Sequence, residues 1–248
     1  MIDLWIPPKP AIIRPAAPDL VKASFLPGMF PLAVPQASDG SLALSYTDSF
    51  TSTTSGSSFT SGSEDIGNAD ASRRVIVAVV WSTSTSSPKT LSSATIGGLS
   101  ATIHQQIAPN GIRSALISRK VPSGLTAVCS VTLSGSVSNC SMFFYRLVNE
   151  SSSSPYDTAS DITLSGSTLS ANLSIPSNGV AIGVAIHKTL PLTTFSWTNL
   201  TEDVDLVLQA NYGRSSAHQN GLASGTLTVT AVASNTPNDG GLNLMSWA

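Results

Sequence analysis

Charge is what this sequence has least of. Only 10% of its 248 residues are Asp, Glu, Lys or Arg, against the ~25% usual in soluble proteins. The 12 basic and 14 acidic residues leave a formal net charge of −2, which gives no electrostatic footprint for nucleic acid or an anionic membrane. Aromatics make up 6% and there are 2 cysteines, too few for a disulfide-dense scaffold. No apolar run approaches the ~18 to 20 residues that a membrane-spanning helix requires. Helical periodicity does not persist for long anywhere, which removes the all-helical classes. Also missing are a GxSxG elbow, an HExxH or HxH pair and a glycine-rich phosphate loop. Catalysis, a bound metal and a cofactor are therefore not expected.

What replaces charge is hydroxyl. Ser and Thr together make up about a quarter of the chain, and they favour strands and turns over helices laced by ion pairs. Hydrophobic residues are 41%, enough to build a core. The length suits one large β domain or two small ones.

Residues 1–38 differ from the rest. Pro7, Pro8, Pro10, Pro15, Pro18, Pro27, Pro31 and Pro35 all fall here, each fixing φ and removing a backbone donor. The segment is expected to run extended, and ~35 residues at about 3.1 Å each could span on the order of 100 Å. Asp3 and the Pro7-Pro8-Lys9 interruption argue against a secretory leader. Yet Ile2, Leu4, Trp5, Ile6, Ile12, Ile13, Phe25, Leu26, Met29 and Phe30 make this arm apolar. Left in water, such side chains forgo ~25 cal/mol per Å². Two readings follow: the arm wraps its own domain, or it lies along a neighbouring subunit or partner. The proline density favours the second.

From Ser41 onward, short apolar runs alternate with Gly, Ser, Asn and Pro. Residues 42–50 alternate like a half-buried strand, and 75–81 (VIVAVVW) form a continuous branched run expected of a strand covered on both sides. Gly97-Gly98 marks a hairpin. Residues 179–187 (GVAIGVAIH) carry a branched face and a small face, as a central strand would. Roughly a dozen strands arise in this way. The fold expected for 39–248 is all-β: a single antiparallel two-sheet sandwich, jelly-roll-like, with two stacked sandwiches as the second choice. No internal repeat is evident. The tracts 51–63, 82–88 and 151–154 read as surface loops, and 33–38 and 51–63 as boundaries.

The residues that could carry chemistry have plainer roles open to them. His104, His187 and His218 lack metal-ligand spacing. Glu202, Asp203 and Asp205 could hold Ca²⁺ in a loop, though a solvated turn is the simpler reading. If Ser134-Gly135 were a two-residue turn, Cys129 would lie opposite Cys140. The pair is then a disulfide or two buried thiols, structural either way. Asn149, Asn172 and Asn199 begin glycosylation triplets expected by chance in such a chain.

PKPAIIRPA (8–16) and FLPGMFP (25–31) resemble the leader of small virion proteins from tailed bacteriophages and prophages of alphaproteobacteria. IGNADASRRVIVAVVW (66–81), ATIGGLSATI (94–103) and the closing Ser246-Trp247 resemble β-sandwich proteins of phage particles. The resemblance implies a structural protein of the virion, assembled in the host cytoplasm: a head decoration or cement protein, a head fibre or a tail component. It further implies an arm anchored on capsid or tail proteins of the same particle, and a homo-oligomer, with a trimer favoured. An alternative is a tail-associated module recognising host carbohydrate, with Trp197 and Trp247 as the aromatic candidates.

Overall fold

Strands buried on both faces need a layer on each side, and this chain has several. In the computed structural model, which describes residues 40–83, 89–108, 111–188, 194–208, 212–235 and 239–248, every residue of Arg74–Ser82 is buried. So is every residue of Gly179–Lys188 except the last. These described residues belong to one compact unit, Pro35–Ala248, and they form strands and turns without a helix.

The first half contains β1 (Ala43–Ser52), β2 (Gly56–Thr60), β3 (Glu64–Asp65), β4 (Arg74–Ser82), β5 (Leu91–Ile96), β6 (Leu99–Ser100), β7 (Thr102–Ile107), β8 (Ile112–Lys120), β9 (Thr126–Ala127), β10 (Cys129–Val137) and β11 (Asn139–Val148). The second contains β12 (Asp157–Thr163), β13 (Thr168–Ile175), β14 (Gly179–Lys188), β15 (Phe195–Thr198), β16 (Thr201–Leu208), β17 (Tyr212–Leu222), β18 (Gly225–Ala233) and β19 (Asp239–Trp247). All pairings are antiparallel.

Each half is a sandwich of its own. In the first, an inner sheet ordered β1-β11-β4-β8-β7 faces an outer sheet ordered β2-β10-β5-β6, with the pair β3-β9 beside them. In the second, an inner sheet ordered β12-β19-β14-β17-β16 faces an outer sheet ordered β13-β18-β15. The two halves are wound alike. Number β1, β2, β4, β5, β6, β8, β10 and β11 from one to eight, and the first half reads 1-8-3-6 against 2-7-4-5. Number β12 to β19 in the same way, and the second reads 1-8-3-6 against 2-7-4, with its fifth strand joined to the inner-sheet edge.

Side-chain alternation along the inner strands explains the stacking. Val75, Val77, Val79 and Trp81 of β4 enter a core shared with the first outer sheet. Ile76, Ala78 and Val80 enter a second core, where they meet Val180, Ile182, Val184 and Ile186 of β14. Ala181 and Ala185 turn the other way, into a third core with Leu169, Leu173, Val229 and Ala231. The order of layers is outer, inner, inner, outer.

This corrects the expectation of one two-sheet sandwich over 39–248. Two sheets would leave one face of most strands to water, whereas β4 and β14 bury both. The tract 51–63 is not a boundary either: it contains β2, and Phe59 is buried in the first core. The strand order repeats although the residues do not, so no repeat shows in the sequence.

Candidate functional site

The arm residues Ile2, Leu4, Trp5, Ile6, Ile12, Ile13, Phe25, Leu26, Met29 and Phe30 lie outside the described residues. Cys129 and Cys140 are free thiols, both buried. The hairpin expected to align them does not exist. β10 continues through Ser134-Gly135 to Val137, and the chain then crosses to the other sheet, so Cys129 pairs with Ile96 and Cys140 with Trp81. Burial pushes both thiols up to about 12, which makes them unreactive filling of the first core.

The described residues concentrate their polar chemistry at the seam between the two inner sheets. Arg214 of β17 is 1% exposed. Its Nη1 donates to Ser141 Oγ at 2.7 Å, and its Nη2 donates to Ser82 Oγ at 3.1 Å and to Asn139 Oδ1, all on the facing sandwich. Burial lowers this guanidinium to about 10, opposed by nearby Cys140 and Tyr212. It remains charged at neutral pH. Asn220, also on β17, fastens the edge strand β1: its Oδ1 accepts from Leu44 N at 2.7 Å and its Nδ2 donates to Leu44 O at 2.8 Å.

Between these clamps sits a carboxylate–imidazole pair. His218 Nδ1 lies 2.7 Å from Asp203 Oδ1, and the hydroxyl of Tyr145, from the facing sheet, donates to Asp203 Oδ2 at 2.8 Å. The Tyr145 oxygen is also 2.8 Å from Ser216 Oγ. Burial raises the Tyr145 phenol well above its ordinary value, and the Asp203 charge adds to this, so the hydroxyl stays protonated. A bulge explains how Asp203 points inward: the β16–β17 register shifts between Glu202 and Val204, leaving Asp203 as the extra residue. An acid and an imidazole in contact are two parts of a nucleophilic triad. Here the Tyr145 hydroxyl meets both Ser216 Oγ and the carboxylate, and no described hydroxyl is hydrogen-bonded to the imidazole. The arrangement works as a bridge between sandwiches.

The other residues singled out in the sequence serve the fold. Glu202, Asp203 and Asp205 lie on β16, in neither a calcium loop nor a solvated turn. Glu202 Oε1 accepts from Ser215 Oγ at 2.6 Å, and Ser215 Oγ in turn accepts from Trp197 Nε1 at 2.7 Å. Asp205 Oδ2 accepts from Phe195 N at 2.8 Å, and burial raises this carboxyl to about 6. No group of three or more His, Cys, Asp or Glu among the described residues is placed to hold a metal. His104 bonds Ser118 Oγ at 2.7 Å and packs edge-on against Trp247. His187 stacks on Phe195. Burial holds both imidazoles down at about 4. Trp247, one of two aromatics considered for sugar stacking, is fully buried; Trp197 is half-buried with its N–H committed. The Nδ2 groups of Asn149 and Asn199 donate to Ser41 O and Thr228 O, and both residues sit at positive φ in turns.

Sequence reasoning missed Arg214, Asn220 and Tyr145. A lone arginine between small residues, as in Gly213-Arg214-Ser215-Ser216, is the one trace that buried cation left in the sequence.

Comparison with known proteins finds no matching family model, no similar curated protein and no similar solved structure.

Proposed function

We propose that the chain is a structural protein of a phage particle, a head decoration, cement or fibre protein held by its N-terminal arm. Each sandwich, on its strand order, is proposed to be a jelly roll. The observation that carries the functional reading is the arm itself: large apolar side chains, among them Ile2, Leu4, Trp5, Ile6, Ile12, Ile13, Phe25, Leu26, Met29 and Phe30, interleaved with eight prolines in residues 1–38. Apolar chain of this length is stabilised only where another surface covers it, and prolines stop it from forming its own helix or interior strand.

The body supports the same reading. Its chemistry is spent on joining sheets, and its described carboxylates are largely committed to backbone amides, hydroxyls or arginines. Arg73 illustrates this use of charge: fully buried, it donates to the carbonyls of Gly67, Val121, Ser123 and Gly124 at 2.6 to 2.9 Å. Four stacked layers make a stiff part suited to an assembly. Neither enzymatic activity nor a cofactor belongs to the proposal.

Purified particles of the phage or prophage encoding the chain test this by quantitative mass spectrometry. Hundreds of copies per particle would mean shell decoration, and a handful would mean a tail or vertex position. Absence from the particles would refute the reading.

A further inference from the structure

Two loops of the first sandwich, 66–70 and 121–125, are distant in sequence and fastened by one buried arginine. Arg73 donates to Gly67 O on one loop and to the carbonyls of Val121, Ser123 and Gly124 on the other. Ile66 N donates to Leu125 O at 2.9 Å and closes the loops on each other. Arg146 adds a further tie, its Nε donating to Asn68 O at 3.1 Å. Gly67 sits at φ 73, and a Cβ there would lie 2.5 Å from Arg146 Cδ, so only glycine fits the turn. A guanidinium is costly to desolvate. What Arg73 secures is the shape of a groove.

That groove is open, encloses about 580 Å³ and is lined by Asp65, Gly67, Asn68, Leu125 and Thr126. Its size falls within the ~300–1,000 Å³ of small-ligand sites. Asp65 and Thr126 are directly opposed where β3 pairs with β9, so their side chains leave one face of the pair as close neighbours. Asp65 Oδ1 accepts from Gly67 N at 2.7 Å, and no described hydrogen bond reaches its Oδ2. Thr126 Oγ1 accepts from Ser63 Oγ at 2.8 Å, which leaves its own proton to donate. The Asn68 carboxamide makes no hydrogen bond among the described residues; only its backbone carbonyl is engaged. Leu125, 62% exposed, supplies an apolar wall beside these polar groups.

We propose that this groove binds a neutral glycan through adjacent hydroxyls of one sugar ring. Neighbouring hydroxyls present donors and acceptors side by side. A carboxylate oxygen, a carboxamide and a hydroxyl answer both roles, and the C–H face of the ring covers Leu125. Other ligands fit worse. No Lys, Arg or His lines the groove, so an anion finds no counter-charge there. An extended peptide binds along an edge strand with spaced side-chain pockets, whereas β3 and β9 have two residues each and the lining holds one apolar side chain. The site uses neither Trp197 nor Trp247, and it does not depend on the particle reading.

The test is a glycan array probed with the full chain, followed by calorimetric titration of the hits as free oligosaccharides. The proposal expects saturable binding to uncharged glycans that share one arrangement of neighbouring hydroxyls. Asn68→Ala and Thr126→Val should each weaken it about fivefold or more. Both residues are exposed, so the melting temperature should hold. No array signal from folded chain, binding confined to sialylated or sulfated glycans, or wild-type affinity in both variants would overturn it.

Discussion

Arg214 and Arg113 carry the same charge into the interior and fare differently. Arg214 meets Ser82, Ser141 and Asn139, whereas Arg113, 1% exposed on β8, has no hydrogen-bond partner at Nε or Nη1. A buried cation without partners costs more than an apolar side chain of its length. Arg113→Met should therefore stabilise the fold by about 1–3 kcal/mol, and Arg214→Ala, which strips three acceptors of their donor, should destabilise it by about as much. Urea midpoints decide both. His187 gives the residue scale a pH dependence. Its Nε2 is unpartnered and its ring takes a proton in the fold only near pH 4, while the unfolded chain takes one near 6.5. Between those values the unfolded state binds more protons, so stability falls as pH drops through that window, by on the order of 3 kcal/mol. His104 acts in the same direction, and the raised Asp205 opposes them between pH 6 and 4. His187→Phe should flatten the loss of melting temperature from pH 6.5 to 4; an unchanged slope would contradict this.

At the scale of the strand, much was legible and the reasons are specific. Alternation placed β1, the continuous run placed β4, and Gly97-Gly98, both at positive φ, placed the β5–β6 hairpin. The Ser134-Gly135 turn failed because either residue is compatible with extended chain, and the crossing to the other sheet falls at Ser138 instead. Which carboxylates cap which edges was beyond the sequence, since Asp157–Ser174 and Asp161–Ser170 depend on how two sheets overlie. The small face of β14 packs as closely as its Ala and Gly residues predict. A Cβ on Gly183 would sit 2.9 Å from Leu244 and Trp197 and 3.0 Å from Leu200. Gly183→Val should cost at least about 1–3 kcal/mol by overpacking, visible in the urea midpoint and in the fluorescence of Trp197.

At the scale of the molecule, the stack of four layers follows from strands with two apolar faces. The sequence contained that clue at 75–81 and 179–187, but how many sheets a chain forms depends on which strands pair, and pairing partners here lie as far apart in sequence as Ala43 and Val148. Because the central core draws on both inner sheets, the halves should unfold together. Calorimetry of the full chain should give one transition for the body, and two well-separated ones would contradict a shared core. The arm belongs to a larger scale still, that of the particle. Its role is tested most directly by removing residues 2–32 and following incorporation during particle assembly. The truncated chain should fold, stay soluble and be missing from purified particles. Particles that take it up as readily as the full chain would contradict anchoring by the arm.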